Sequence, residues 1–317
     1  MQDVSIIIRT RNEATLLEKT LKKIVNQDTN FNYEIIIVDS YSTDNTRYVA
    51  KKYGCKIVNL SPINFSWGRG INFGMENSNA EYCILLSAHS YPVDNTWMDK
   101  LVRPLLEDKN LAATYGGQIP IKGIDPFEEV ELKKWFPKSN KKIAVSNSNA
   151  CIRRSVWQKI KFNEVLSSYE DVEWANRVRN MGYILKYIPE AAVYHSHTIN
   201  IKLIYKRWYW RSRMALYVRQ KEKKISFLKK FPPKILSMTL ALGLYTTLLF
   251  EDFIHCFKEG YLSELWKAPI YEIVRCTAFC RGVFDALVDL KKETYIEKYM
   301  YNKESIPKFL EKFKVIE

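Results

Sequence analysis

The sequence predicts an α/β fold with a mostly parallel central sheet, followed by a helical, basic and apolar C-terminal region. In the first half, short apolar runs alternate with helical patterns, and strands separated by single helices build parallel sheets. After about residue 200 the strand-like runs stop, and the chain becomes helical in pattern and rich in aromatic residues. We therefore expect two regions, residues 1–200 and residues 201–317.

Four pairs of strand and helix are predicted in the first region. Apolar runs at 4–8, 34–39, 56–60 and 82–87 are typical of strands. The helical patterns after them span 13–27, begin near 42–44, cover 67–78 and cover 95–108. After about residue 116 the pattern loosens into loops with one short helix, and a helix over 169–181 precedes a last strand. Ligands bind beyond the carboxyl ends of strands in such sheets, so the residues there are the candidates for function.

Cysteine content and charge narrow the class of protein. The six cysteines are scattered and match no common zinc spacing, which predicts reduced thiols. The net charge is +14, yet twelve Lys and Arg residues and a single acid fall between Lys202 and Lys234, so the charge is local. The first residues show no charged segment followed by an apolar one. This predicts no signal peptide and a cytoplasmic protein.

Several motifs at the strand ends resemble family 2 glycosyltransferases, which have the GT-A fold. The opening "VSIIIRTRNEATLLEKTLKKIVNQ" with "YEIIIVDSYSTDNT" is similar to the start of that family. The later "YEDVEWANRVRNMGY" resembles its Glu-Asp motif with a trailing Trp, Arg and Gly. The resemblance covers roughly residues 4 to 200. The segment "FSWGRGINFGMENSNAEYCILLSAHSYP" further resembles a bacterial branch that builds polysaccharides and includes rhamnosyltransferases.

The resemblance implies an inverting enzyme that moves a sugar from a UDP- or dTDP-type donor to a hydroxyl of a bacterial, lipid-linked glycan. It also implies the donor-binding residues. Asp39 would accept a hydrogen bond from the imide N–H of the base, and Thr10, Arg11 and Glu13 would line the same pocket. Arg69 and Asn72, on the helix after the third strand, would contact the pyrophosphate. The residue types alone also allow a turn aspartate, a first-turn acid and a solvated arginine.

The resemblance implies that Asp171 is the catalytic base, which deprotonates the acceptor hydroxyl. Its neighbour Glu170 would raise or orient its basicity by like-charge proximity, and Trp174 and Arg177 would support the motif or contact the acceptor. Without the resemblance, two acids at a helix start are equally typical of residues that favour the helix dipole.

One position departs from the family. Its fourth strand usually ends in Asp-X-Asp, whose last carboxylate binds a divalent metal, whereas this chain reads Ser87-Ala88-His89. His89 would either hold a divalent cation (Mn²⁺ or Mg²⁺) together with His195 or His197, or bind the donor diphosphate directly as imidazolium. A turn histidine bonded to backbone is the third interpretation.

The C-terminal region predicts a peripheral membrane protein on the inner face of the cell membrane. Residues 202–234 interleave cations with aromatic rings, a pattern that fits an anionic lipid surface better than nucleic acid. The run Ile235 to Phe250 has sixteen residues without a charge, short of the ~20 that span a bilayer. It predicts an in-plane or partly inserted helix, or a helix buried in a homodimer.

Two other functions fit the sequence less well. A nucleotidyl- or phospho-sugar transferase would need a glycine-rich, lysine-bearing loop after the first strand, and "RTRNEA" has neither feature. A catalytically inactive GT-A module that binds nucleotide or glycan as a scaffold is the alternative that the missing Asp-X-Asp favours.

Overall fold

The computed structural model describes residues 3–62, 65–121, 123–138, 145–197, 200–221 and 232–292. The chain divides into two compact units. The first comprises residues 1–123, 131–164 and 170–196, and the second comprises residues 124–130, 165–169 and 197–317. The division thus falls near the predicted boundary at residue 200, but two short segments of the predicted first region group with the second unit.

An eight-stranded sheet forms the first unit, in the order β3-β2-β1-β4-β7-β6-β8-β5. Strands β1, β2, β3 and β4 are mutually parallel, β6 is parallel to β8, and β7 runs antiparallel between β4 and β6. The predicted α/β class is confirmed. The strands are β1 (Val4–Thr10), β2 (Tyr33–Asp39), β3 (Lys56–Asn59), β4 (Tyr82–Ser87), β5 (Tyr91–Pro92), β6 (Leu111–Ile119), β7 (Asn149–Arg153) and β8 (Ile184–Tyr194).

Helices cover both faces of this sheet, which explains why its central strands are continuously apolar. Apolar residues of β1 contribute to two separate cores: Ile6 and Ile8 pack with α1, and Ile7 packs with α3. Around the sheet lie α1 (Ala14–Val25), α2 (Thr46–Lys52), α3 (Trp67–Glu76), α4 (Trp97–Glu107), α6 (Arg154–Lys159) and α7 (Glu170–Asn180), while α5 (Pro126–Trp135) has residues in both units.

Three strands, the two-residue β5 and the longer β6 and β7, were not predicted from the sequence. Because Gly116 and Gly117 are adjacent, the β6 segment was interpreted as a loop. In the structure, close packing between strands requires a glycine at position 116. A Cβ atom on Gly116 would lie 1.8 Å from the carbonyl oxygen of Ala191. Strand β7 is short, and its first residue, Asn149, donates hydrogen bonds to the carbonyls of Gly117 and Ala191.

The glycines of α3 also serve close packing within the protein. A Cβ atom on Gly68 would lie 2.4 Å from the carbonyl oxygen of Asn163, and one on Gly70 would lie 3.2 Å from the Arg9 side chain. The structure shows protein atoms against them.

The second unit is helical, and α10 (Ala268–Lys292) packs along both α8 (Ile201–Lys221) and α9 (Pro233–Lys258). A 3-10 helix, Leu262–Lys267, precedes α10. The segment 124–130 joins these helices because the Arg207 side chain pairs with Glu128 at 2.9 Å and Arg275 donates to the carbonyl of Phe127 at 3.3 Å.

Aromatic residues of α8 belong to the protein core. The sequence interpretation had placed them at an anionic lipid surface, and for these residues it is corrected. Tyr209, Trp210 and Tyr217 are buried in the apolar core of the second unit. Arg213 is buried beside them and pairs with Asp289 at 2.5 Å. Residues 222–231 of the basic stretch lie outside the described residues.

Helix α9 contains the predicted apolar run and extends it to 26 residues. Among the described residues, it is the one helix that is long and apolar enough to cross a bilayer. The core helices of soluble proteins can be equally long and apolar, but they are mostly buried. Most of α9 is not buried.

Candidate active site

The carboxyl ends of three parallel strands bring the predicted donor-binding residues to one edge of the sheet. Thr10 ends β1 directly beside Asp39, which ends β2, and Arg9 lies beside Ser87 at the end of β4. Strand β7 begins at the same edge, because the Ser87 hydroxyl donates to that of Ser148 at 3.0 Å. This is the edge at which parallel α/β sheets bind ligands.

Asp39 is fully buried and closes the turn after β2. Its carboxylate accepts the Ser42 amide at 3.1 Å and the Ser42 hydroxyl at 2.5 Å, and Arg47 approaches to 3.9 Å. These bonds confirm that Asp39 is a turn aspartate. A carboxylate has about four lone-pair positions, so these bonds leave capacity for a ligand N–H.

His89 lies in a tight turn between β4 and β5. The Ser90 amide donates to the Ser87 carbonyl at 3.0 Å, and Thr20 donates to the Ala88 carbonyl at 2.7 Å, which fixes the turn. The short strand β5 then pairs with the end of β8, with Tyr91 beside Tyr194. This pairing brings His89 to His195, the residue after β8.

The two imidazoles face each other through their Nε2 atoms at 3.1 Å. On the outer side, the Nδ1 atom of His89 lies 2.7 Å from Oε1 of Glu13, and the Nδ1 atom of His195 lies 2.6 Å from Oε1 of Gln118. The Gln118 amide nitrogen donates to Ser146, which fixes Oε1 as the acceptor. Both rings therefore carry their proton on Nδ1.

This arrangement turns two Nε2 lone pairs toward each other, which is unfavourable unless a cation or one additional proton lies between them. Metal-binding histidines usually donate their other N–H to a carboxylate or a carbonyl oxygen, as His89 and His195 do here. The 3.1 Å separation is shorter than two metal–nitrogen bonds of ~2.1 Å laid end to end, so one ion could contact both nitrogens from one side of the line that joins them. The residues present thus fit a divalent cation.

The predicted catalytic acids begin helix α7, and both lie in the first unit. Glu170 is buried and accepts a hydrogen bond from the Asn147 amide at 3.1 Å. Asp171 is half-buried and accepts the Val172 amide at 2.8 Å. Burial, with the nearby Asp171 carboxylate as a second cause, raises the pKa of Glu170 to about 7.

Arg9 connects this acid pair to the strand edge. Its guanidinium is buried, donates to the Asn147 carbonyl at 3.3 Å, and lies 5.2 Å from the ring centre of Trp67. Its positive charge acts to lower the pKa of Glu170, against the effects of burial and of Asp171. A buried cation thus lies close enough to Glu170 to act on its ionisation.

One predicted donor-binding residue, Asn72, has a structural role. The Asn72 side chain donates to Phe162 and Glu164 and accepts from Trp157 and Phe162, so both its N–H groups and both its acceptor positions are used. For that reason we leave it out of the proposed donor site.

Four further predicted residues lie in ordinary surroundings. Trp174 is buried, stacks on Phe162 and donates to a backbone carbonyl. Arg177 pairs with Glu173 at 2.8 Å on α7. Arg69 and Arg11 are exposed. Their predicted roles toward ligands stay predictions.

Three residues of the site were missed, namely Arg9, Gln118 and Asn147. For Arg9 a signal was present, because it is the one charged residue in the otherwise apolar or small β1 run "VSIIIRT". Gln118 and Asn147 gave no such signal, since their segments were interpreted as loops.

Comparisons with known proteins point to one family. Residues 5–160 match the model of Glycosyl transferase family 2. The O-antigen chain rhamnosyltransferase WbaN of Salmonella anatum is 28% identical over 224 residues, which cover 66% of this chain and 71% of the relative. RfbN of Salmonella typhimurium, also an O-antigen chain rhamnosyltransferase, is 28% identical over 65% of this chain and 70% of its own.

Solved structures agree on the fold. A mannosyltransferase from Pyrobaculum calidifontis, in complex with GDP-Man and Mn²⁺, superposes with a TM-score of 0.55 at 16% identity and covers 92% of this chain and 87% of its own. A glucosyl-3-phosphoglycerate synthase from Mycobacterium tuberculosis gives a TM-score of 0.53 at 15% identity, over 69% of this chain and 79% of its own. At such low identity the likeness shows the fold alone, and the predicted GT-A fold is confirmed.

The hydrogen bonds of Asn72 predict a structural role that its neighbour Arg69 does not share. Replacing Asn72 with Ala would leave the Trp157 indole N–H and the Phe162 amide buried without an acceptor. We expect a loss of about 3 kcal/mol in the free energy of unfolding, measured by urea denaturation. Arg69→Ala, on the exposed face of the same helix, is the control and should change it by less than about 0.5 kcal/mol. Equal stability of the two variants would contradict this assignment.

Proposed function

Since this chain belongs to glycosyl transferase family 2 and is a glycosyltransferase, we propose that it transfers a sugar with inversion from a UDP- or dTDP-type donor. The acceptor would be a hydroxyl of a bacterial, lipid-linked glycan of the O-antigen type. The observation that carries this proposal is the strand edge that holds Asp39, His89 and His195, linked through Arg9 and Asn147 to the acids of α7.

The donor base is assigned to the buried Asp39 carboxylate. A uracil or thymine ring offers one imide N–H, which suits a fixed acceptor at a strand end. The two Salmonella relatives are named rhamnosyltransferases, which supports a deoxyhexose on the donor. Thr10 lies beside Asp39 in the sheet, and Arg11 and Glu13, which follow Thr10 in the chain, are proposed to line the same pocket. Arg69 stays a proposed pyrophosphate contact.

A divalent cation is assigned to the Nε2 atoms of His89 and His195. Two solved structures of this fold were obtained with Mn²⁺ and a nucleotide sugar, which supports the choice of ion. When bound, such an ion neutralises charge on the leaving diphosphate. Glu13 and Gln118 hold the two imidazoles with their Nε2 atoms deprotonated, so that they are competent ligands. Imidazole ligands favour Mn²⁺ over Mg²⁺.

Asp171 is proposed as the catalytic base. Its carboxylate takes the proton of the acceptor hydroxyl while that oxygen forms a bond to the anomeric carbon of the donor. The bond between the anomeric carbon and the diphosphate oxygen breaks on the opposite face, and its electron pair leaves with the diphosphate. One displacement of this kind inverts the anomeric centre.

Helix α9 supports a membrane-bound acceptor, because large apolar side chains make up much of its exposed surface. Its buried side contains Ser237, Ala241, Leu248, Asp252 and Cys256. The exposed large apolar side chains of α9 include Leu242 at 67% and Phe257 at 75% of their surface, and the others are Ile235, Met238, Leu240, Phe250, Phe253 and Ile254. An apolar surface of this kind marks a membrane or protein interface.

We assign this surface to the acyl and headgroup boundary of an anionic leaflet. Lys234 and Lys258 are exposed near the two ends of the helix, where they would meet anionic headgroups. Trp266 in the following 3-10 helix is 57% exposed, and Trp is typical of membrane interfaces. The protein would then dock on the cytoplasmic side, where a lipid-linked acceptor is presented.

Transfer activity is the direct test of the proposed function. We expect UDP- or dTDP-sugar consumption that Mn²⁺ stimulates and EDTA suppresses, with an inverted anomer detected by NMR of the product. His89→Ala should lower kcat/KM by on the order of 10²-fold, and Asp171→Asn by about 10³-fold, because the first loses a ligand to the leaving-group cation and the second loses the base.

The matched control is Asp99→Asn, which makes the same change at a carboxylate of α4 that pairs with Arg103. It should retain wild-type turnover. Thermal melts establish that each variant is folded. Nucleotide binding without turnover of any donor would favour the inactive scaffold, and a retained anomer would refute inversion.

Flotation with vesicles tests the membrane surface. The intact chain should float with vesicles of phosphatidylglycerol and phosphatidylethanolamine at low salt, and Leu242→Glu with Phe250→Glu should abolish flotation because two charges enter the apolar face.

Leu106→Glu is the control for flotation, since Leu106 is an exposed apolar residue of α4 in the first unit and the change also adds an acid. It should leave flotation intact. If the wild-type chain fails to float, the membrane assignment is wrong. If the α9 variants instead convert a dimer to a monomer in light scattering, the surface belongs to a second copy of the chain.

A further inference from the structure

Glu170 at the start of α7 is a buried acid, and its neighbour Asp171 is half-buried. Glu170 and Asp171 are adjacent, and the buried guanidinium that acts on Glu170 is that of Arg9. Ionising a buried carboxyl group next to a second carboxylate is costly. We propose that Glu170 is a neutral, proton-holding positioning residue and that Asp171 alone carries the negative charge when the acceptor binds. The proposal rests on Asp171 as the base.

Exposure decides which acid keeps the proton. Glu170 is 7% exposed, whereas Asp171 is half-buried and accepts the Val172 amide, which favours its ionised form. The pKa of Glu170, raised to about 7 mainly by burial, agrees with this assignment.

Asn147 supplies a partner for a neutral Glu170. Its amide nitrogen donates to Glu170, while its side-chain oxygen is buried and makes no hydrogen bond to any residue that the structure describes. An amide donates to a carboxylate through nitrogen and accepts from a carboxylic acid through oxygen. A neutral Glu170 can accept from the Asn147 nitrogen through its carbonyl oxygen and donate its proton to the Asn147 oxygen, so that both buried groups would be satisfied.

This assignment reverses the role that the sequence suggested for Glu170. A like-charged neighbour would raise the basicity of Asp171 by repulsion, whereas a neutral neighbour leaves Asp171 as the ionised acid and holds the first turn of α7 in place. When Glu170 ionises above about pH 7, the second charge disturbs that turn and the base on it.

The pH profile of three variants tests the proposal. Wild-type kcat/KM should fall above an apparent pKa near 7, as Glu170 loses its proton. Glu170→Gln mimics the neutral acid, so it should stay within about threefold of wild type at pH 6.5 and exceed it by about tenfold at pH 8.5. Glu170→Ala should be roughly 10²-fold slower at both pH values, since it removes the group that holds Asn147.

The matched control is Glu173→Gln, the same change on the same helix at an acid that pairs with Arg177. It should keep the wild-type profile. If Glu170→Gln keeps the wild-type fall above pH 7, Glu170 is not the group that titrates. If Glu170→Gln is folded but inactive at every pH, the site needs a charged Glu170. Either result overturns the proposal.

A melting experiment tests the proton without any donor, so its outcome is separate from that of the proposed function. Near pH 4 both the folded and the unfolded chain hold the Glu170 proton. Between about pH 4.5 and 7 only the unfolded chain releases it, so the wild type loses stability that Glu170→Gln does not lose. The Tm of Glu170→Gln minus that of wild type should therefore grow by several degrees from pH 4 to pH 8. A difference that does not change with pH would refute a neutral Glu170.

Discussion

The two imidazoles that face each other at 3.1 Å are the constraint from which the candidate site follows. Glu13 at the start of α1 and Gln118 in β6 hold His89 and His195 from opposite sides, and both bonds fix the ring protons on Nδ1. The two Nε2 lone pairs are thereby directed at one small volume, which selects a cation. A carboxylate at the end of β4 would need no such support, because it is anionic in any orientation. A histidine in its place needs partners that fix its tautomer and its angle.

The sheet explains how residues far apart in sequence reach this position. The pairing of β5 with β8 sets His89 beside His195, and the antiparallel insertion of β7 between β4 and β6 sets Asn147 beside Arg9. Asn147 in turn contacts Glu170, so the helix that carries Asp171 is tied to the strand edge through hydrogen bonds. Donor-side and base-side groups are thus joined within the first unit by strand pairing and by one buried arginine.

The sequence predicted the parts of this arrangement that depend on local pattern. Apolar runs and helical periodicity located β1 to β4 and their helices, because a strand covered on both faces is continuously apolar. Strands β6 and β7 were missed, because Gly116 serves a close approach to Ala191 that no local pattern reveals. Gln118 and Asn147 lie next to or within these missed strands, and their roles were missed for the same reason. Asn72 was predicted at the donor because its helix was placed correctly, but its side-chain direction depends on Trp157 and Phe162, far along the chain.

The histidine pair gives the account its most direct test, which is pulsed electron paramagnetic resonance of Mn²⁺ bound to the protein with UDP or dTDP. If His89 and His195 hold the ion that receives the diphosphate, one Mn²⁺ species should show both imidazole ¹⁴N and ³¹P couplings. His89→Ala and His195→Ala should each reduce the ¹⁴N signal while ³¹P coupling remains detectable. A wild-type spectrum with ³¹P coupling and no imidazole ¹⁴N coupling would contradict the account.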